Sequence, residues 1–226
     1  MEREWAKPSV EPDRKRLLVM CGGYIAVAYG YSLRGYEAFW VDADILVSGI
    51  ELGRKVRRLG PHVVVCLLGR FKGETGDRMH VFPLANETKT GVRIRIWLER
   101  VVEILKSEKK ENCPAFCDEE GYQMKEKEVE AVFHPILRMM QKDKKYAEML
   151  PAELEIEGNY MCSRSFRRGS ATTALNNGVD EVVIKFVHRW GKIEAKKGAC
   201  TGFNMLEHYA HGELTRPMQF SFVSKV

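Results

Sequence analysis

A chain of 226 residues, 45% of them hydrophobic, is long enough to bury a full core, and its length suits one large domain, the default expectation, or two small ones. The formal charge of +5 and the pI near 8.8 permit a nucleic acid or another anionic partner without requiring one. The polar opening MEREWAKPSVEPDRKR lacks the charged-then-apolar layout of a signal peptide, so the protein is expected to be intracellular, with its six scattered cysteines as reduced thiols. The charge is unevenly spread. Between Tyr160 and Ala199 stand eight Lys or Arg against three acids, so this one segment carries an excess equal to that of the whole chain.

In chain order, residues 1–16 are polar and contain proline, which reads as a linker or disordered N-terminus. From Leu17 to Leu33 the run LLVMCGGYIAVAYGYSL is apolar, but it is shorter than the ~20 residues that cross a bilayer and is interrupted by three glycines and three tyrosines. It predicts a buried core helix ending near Tyr31 and no membrane partner. SLRGYEAFWVDADILV then breaks at Gly35 and resumes as a short second helix or an extended segment, which leaves Arg34 at a junction.

PHVVVCLLGRF is rich in β-branched and apolar residues, RMHVFPLA alternates, and the turn KGETGD lies between them. The pattern predicts a β-hairpin with Lys72 at its tip. TKTGVRIRIWLERVVEILKS switches to helical spacing, with Ile94, Leu98, Val101 and Leu105 on one face and Arg95, Glu99 and Arg100 off it. Residues 107–124 read as a polar loop; its CPAFC pair has no second pair at ligand spacing, so no metal site is expected. EVEAVFHPILRMMQ returns to the helical period through Val129, Val132, Phe133, Ile136, Leu137 and Met140, with Pro135 kinking the helix or marking its start. SFRRGSATTALNN ends on Gly178, and VDEVVIKFVHRW begins with Asp180 as its N-cap, giving two short helices in succession. A lysine-rich loop, GKIEAKKGACTG, leads to FNMLEHYAH, and no internal repeat is present. The expected class is α+β, mainly α: helices with one small antiparallel sheet.

The candidates for chemistry are Arg34 after the core helix, Lys72 on the hairpin turn, Arg164 and Arg167 opening a helix, Arg189 and Trp190 closing the next, and Tyr209 near the C-terminus. Cations followed by a late tyrosine suit phosphate chemistry. Two guanidiniums can grip the non-bridging oxygens of one phosphodiester and stabilise the charge that grows in a pentacoordinate transition state. A tyrosine hydroxyl can be the nucleophile and a lysine can protonate the leaving oxygen, with no metal or nucleotide cofactor needed.

YSLRGYEAFWVD resembles the first arginine box of the tyrosine recombinases, the phage-integrase family, in which an acid follows the arginine by three residues, here Arg34 and Glu37. GRFKGETGDRMHVFPL is similar to the family's hairpin, whose turn lysine would be Lys72, with Lys89 in ETKTG as a rival. RSFRRGSAT resembles the second box, with Arg164 in the place usually held by histidine and Arg167 as the second arginine. VHRWGK is similar to the third box in its tryptophan form, so that Trp190, or its neighbour Arg189, fills that role, and EHYAH supplies the nucleophile, Tyr209, with Tyr160 the competing residue. The likeness runs over residues 17–212 with the boxes in family order.

The resemblance implies a tyrosine-recombinase catalytic domain over residues 17–226, without the family's N-terminal core-binding domain. It implies a DNA strand-exchange enzyme that works through a 3′-phosphotyrosyl intermediate on double-stranded DNA, located where its DNA target resides, the nucleus included. A homo-oligomer on DNA is compatible with it. Arg34, Lys72, Arg164, Arg167 and Trp190 are expected to line one basic groove, with Glu37 in support and Arg168, Arg189 and Lys192 on the DNA. Two departures stand out: an arginine at position 164 cannot serve as a base, and the interval from Trp190 to Tyr209 is longer than the family's usual one. A catalytically inactive DNA-binding relic of a mobile-element recombinase is the alternative, and a basic helical interaction module outside the family is a third reading.

Overall fold

The computed structural model describes residues 9–55, 62–67, 80–188 and 221–226. Its first helix, α1 (Pro12–Gly30), is the hub. Pro12 opens it, where a missing N–H leaves no intrahelical bond unmade. The expected linker therefore ends earlier than residue 16. Arg16, read as part of it, lies on α1 and forks onto Glu108, with Nε at 2.7 Å from Oε1 and Nη2 at 2.9 Å from Oε2, while donating to the carbonyls of Cys117 and Asp118. From Leu18 onward nearly every α1 side chain is buried, as an all-round apolar helix must be. Among the described residues no helix is long and apolar enough to cross a membrane.

The glycines that interrupt this apolar run are close-approach points. A Cβ on Gly22 would collide with the Trp97 ring, one on Gly23 would lie 2.6 Å from Val101 and 2.9 Å from Phe116, and one on Gly30 would lie 2.5 Å from Ile94. The partner at three of these contacts is α4 (Ile94–Ser107), whose expected stripe of Ile94, Leu98, Val101 and Leu105 is buried together with Trp97 and Val102. Each such side chain contributes about 1.5–3 kcal/mol by leaving water.

Between them come α2 (Gly35–Ala38), α3 (Ala43–Lys55) and the hairpin of β1 (His62–Leu67) and β2 (His80–Ala85), paired antiparallel from His62↔Ala85 to Leu67↔His80. The expected strands are present; Lys72, expected at the tip of a turn between them, lies outside the described residues. Asp42 caps α3 by accepting the Ile45 N–H at 2.6 Å. The segment read as a polar loop buries Ala115, Phe116 and Cys117 in its middle. Its backbone groups can leave water because the chain before α3 and the loop's own return take them up: Ala115 N–H donates to Val41, Ala43 N–H to Cys113 and Met124 N–H to Phe116.

Then follow α5 (Glu126–Gln141), α6 (Ile156–Asn159), α7 (Ser165–Asn176) and α8 (Glu181–His188). Pro135 lies inside α5 and does not start it. Gly178 takes φ +73 just past the end of α7, and Asp180 accepts the Val182 N–H at 2.7 Å as the expected cap of α8. The architecture is mainly helical, with α1 in the centre and Phe222, Val223 and Val226 closing the core from the C-terminus.

Candidate active site

The site grows from the way α1 ends. Ser32 N–H donates to Tyr29 and Leu33 N–H to Ala28, at 3.3 and 2.9 Å, which is the paired bonding that terminates a helix through one left-handed residue. That residue is usually glycine. Here it is Ser32, at φ 58 and fully buried. A non-glycine residue there costs about 1–2 kcal/mol, and its neighbours account for its retention. The Ser32 hydroxyl lies 2.6 Å from His188 Nε2, and its carbonyl accepts from Arg167 Nη1 at 2.8 Å.

The next residues turn outward. Arg34 is extended, at φ −67 and ψ 152, and leads into α2. The Glu37 carboxylate reaches back to the Arg34 N–H at 2.8 Å and takes the Arg34 guanidinium at 2.9 Å. Arg167 Nη1 lies 3.9 Å from the same carboxylate. Two guanidiniums from segments far apart in the chain thus meet on one acid. Glu37 and Arg167 are buried, whereas the Arg34 side chain keeps 25% of its surface in water. Arg34 is therefore the member that can reach an external oxygen.

Gly35 holds this corner against the lead-in to α7. A Cβ there would lie 2.7 Å from the Cys162 carbonyl oxygen and would strike the Glu126 carboxylate, and the Gly35 carbonyl accepts the Tyr24 hydroxyl at 3.1 Å. Glu130 accepts the Cys162 N–H at 2.9 Å. Burial, with Glu130 beside it, raises the Glu126 carboxyl above the usual carboxylate range. Burial likewise pushes the Cys162 thiol and the Tyr24 hydroxyl far up and the Cys21 thiol up to about 12. None of these three is a nucleophile near neutral pH.

Of the residues singled out in the sequence, Arg34, Glu37 and Arg167 come together. Arg164 is exposed at the entry to α7, and its guanidinium donates to the Gly158 carbonyl at 3.3 Å. Arg168 is exposed on the same helix. Lys72, Arg189, Trp190, Lys192 and Tyr209 lie outside the described residues. Of the rivals, Lys89 sits in the turn after β2 with its N–H on the Val226 carbonyl, and Tyr160 is half-buried with its carbonyl 2.5 Å from His134 Nε2. Ser32 and His188 were not singled out. The signal available for them was position alone: Ser32 stands two residues before Arg34, and His188 directly before Arg189 and Trp190. Among the described residues no group of three or more His, Cys, Asp or Glu is placed to hold a metal. The chain matches no protein-family model, no curated protein and no solved structure.

Proposed function

We propose that the chain is a DNA strand-exchange enzyme of the tyrosine-recombinase kind, acting on double-stranded DNA. The observation that carries this reading is the meeting of Arg34 and Arg167 on the buried Glu37 carboxylate. A guanidinium anchored on one side by a carboxylate is held in one orientation, so its remaining N–H groups can face a phosphodiester without reorganisation. The Tyr209 hydroxyl attacks the phosphorus and gives its proton to solvent, a 3′-phosphotyrosyl ester forms, and the departing 5′ oxygen takes a proton from Lys72. The 5′-hydroxyl of a partner strand then attacks the ester and gives its proton to the neutral Lys72, and the released tyrosine oxygen takes a proton from solvent. Arg34 bears on the charge of the pentacoordinate state, and the buried Glu37 and Arg167 fix its orientation from within. Trp190 or Arg189 lines the same site, and Arg168 and Lys192 lie along the DNA backbone.

A DNA-binding relic without chemistry is the second reading, and it is favoured by one observation. Arg164, in the place of the usual histidine, is exposed and spends its hydrogen bond on Gly158.

The test is covalent capture on a pool of nicked duplexes of randomised sequence. A nick lets the short 5′ fragment diffuse away and leaves the phosphotyrosyl ester stranded. The enzyme reading expects a denaturant-stable protein–DNA adduct that vanishes in Tyr209→Phe while DNA binding persists. DNA binding with no adduct from any duplex in the pool leaves the relic; an adduct that survives Tyr209→Phe refutes Tyr209 as nucleophile.

A further inference from the structure

We propose that Cys113 and Cys117 are a redox pair, which a small disulfide of the glutathione class closes into one intramolecular disulfide. This site is independent of the strand-exchange reading. Both cysteines of the CPAFC segment are free, and their thiols are hydrogen-bond partners of each other. The Cys162 thiol, by contrast, is bonded to the Tyr24 hydroxyl.

The turn that brings the two thiols together is held from outside at both ends. The Cys113 carbonyl accepts the Ala43 N–H at 3.1 Å, and the Ala115 N–H donates to Val41 at 2.7 Å, which fixes the first half on the lead-in to α3. The Phe116 carbonyl accepts the Met124 N–H at 3.1 Å, and the Cys117 carbonyl accepts Arg16 Nη1 from α1 at 3.0 Å. Pro114 locks one more dihedral between them. Ala115 and Phe116 are fully buried, and the Phe116 ring meets Tyr24 edge-on with centroids 6.1 Å apart. A backbone anchored in this way keeps each thiol at a high effective concentration beside the other. Closure then takes the sulfurs from contact to a bond of about 2 Å.

Access sets the order of events. Cys113 is half-buried and Cys117 fully buried, so Cys113 is the one that meets the oxidant. Its thiolate attacks one sulfur of the small disulfide, a mixed disulfide forms, and a first small thiol leaves. Cys117, whose sulfur lies against the Arg16 guanidinium, then attacks the Cys113 sulfur and passes its proton to the second small thiolate as it departs. Two protein thiols lose two electrons and two protons, and the small disulfide gains them as two thiols. Burial first, and then the Cys117 thiol, push the Cys113 thiol up to about 11, with Asp44 adding to the rise and Lys110 opposing it. Exchange near neutral pH therefore runs on a small thiolate fraction and is slow. Among the described residues no third His, Cys, Asp or Glu joins the pair as a metal-holding group, so its chemistry is that of two thiols.

The experiment brings the full chain to equilibrium in buffers of glutathione and glutathione disulfide, blocks the remaining thiols with iodoacetamide, and weighs the tryptic peptide 111–125, which holds both cysteines. That peptide is expected unalkylated and lighter by two hydrogens. The native chain should close at a proportion of glutathione disulfide about tenfold lower than the same chain in urea, because a disulfide that the fold accommodates also stabilises the fold. Cys117→Ser should stop at the mixed disulfide on Cys113, and Cys113→Ser should leave Cys117 unmodified. If either variant fails to fold, the comparison of native and urea-unfolded parent decides alone. A parent peptide alkylated at both cysteines in the most oxidising buffer overturns the pair, as does one that carries glutathione without closing. Closure at the same proportion in the native and unfolded chain also overturns it, since the fold would then contribute nothing to placing the thiols. Glutathione on Cys117 in folded Cys113→Ser overturns the order of attack.

Discussion

The contact between α1 and α4 and the corner from Ser32 to Glu37 lie at the two ends of one stretch of chain, and they are built on opposite principles. The first is apolar throughout: Gly22, Gly23 and Gly30 give up their side chains so that Trp97, Val101 and Ile94 can approach, and every residue there sits in a helical conformation. The second buries a carboxylate, a guanidinium and an imidazole, and bends the backbone through a left-handed serine. Apolar packing of this kind is tolerant and can be rebuilt from many side-chain sets. A buried polar corner with a strained residue is costly unless every member stays in place. The contrast sets packing that can be rebuilt in the first region against a polar geometry that every member must hold in the second.

That contrast can be broken by substitution. The largest effect is expected at Glu37→Ala, which strips the shared acid from Arg34 and buried Arg167. Leaving a buried charge without its partner costs about 3–5 kcal/mol, read as a lower urea midpoint, and a loss under about 1 kcal/mol would show that the corner is not a coupled unit. Gly23→Ala comes next. Its Cβ meets Val101 and Phe116 inside van der Waals distance, so overpacking should remove about 1–3 kcal/mol; an unchanged thermal midpoint would mean that α4 yields freely.

Ser32 separates strain from hydrogen bonding. Ser32→Ala keeps the left-handed strain and loses the hydroxyl bonded to His188, whereas Ser32→Gly loses the same hydroxyl but relieves the backbone. The glycine variant should therefore exceed the alanine variant by about 1 kcal/mol in unfolding free energy. Equal stability would refute the claim that the turn is strained.

The smallest effect is a pH dependence. Because Glu126 titrates higher folded than unfolded, the native chain holds a proton that the unfolded chain has released, and stability falls as pH rises through that window. Glu126→Gln should be the more stable protein at neutral pH and should lose that part of the slope. A slope identical to the parent's would place the Glu126 carboxyl in ordinary solvent.

What the sequence made legible divides along the same line. The stripe of Ile94, Leu98, Val101 and Leu105, the two strands and the Asp180 cap were readable because each is a local pattern, a period or a residue at a chain end. Arg34 and Glu37 were readable for the same reason, as an arginine and an acid three residues apart. The glycines of α1 were visible as interruptions, but their purpose depends on Trp97 and Ile94, more than sixty positions away. Phe116 was hidden inside a run of charges although it is fully buried. Ser32 gave no sign of its left-handed backbone, since glycine or asparagine is the usual marker, and its contact with His188 joins two residues that no local period relates. Long-range polar contacts carry no periodicity, so the corner's full membership appears only in three dimensions.

The central claim is that this corner acts on a phosphate in the transition state, and Arg34→Lys tests it most directly. Lysine keeps the charge but loses the planar fork. Single-turnover adduct formation on the nicked duplex that the parent cleaves best should slow by about 100- to 1,000-fold, while affinity for that duplex stays nearly the same. If adduct rate and affinity both remain at parental values, or if affinity falls as far as the rate does, Arg34 is a surface contact to DNA and the account of the corner is wrong.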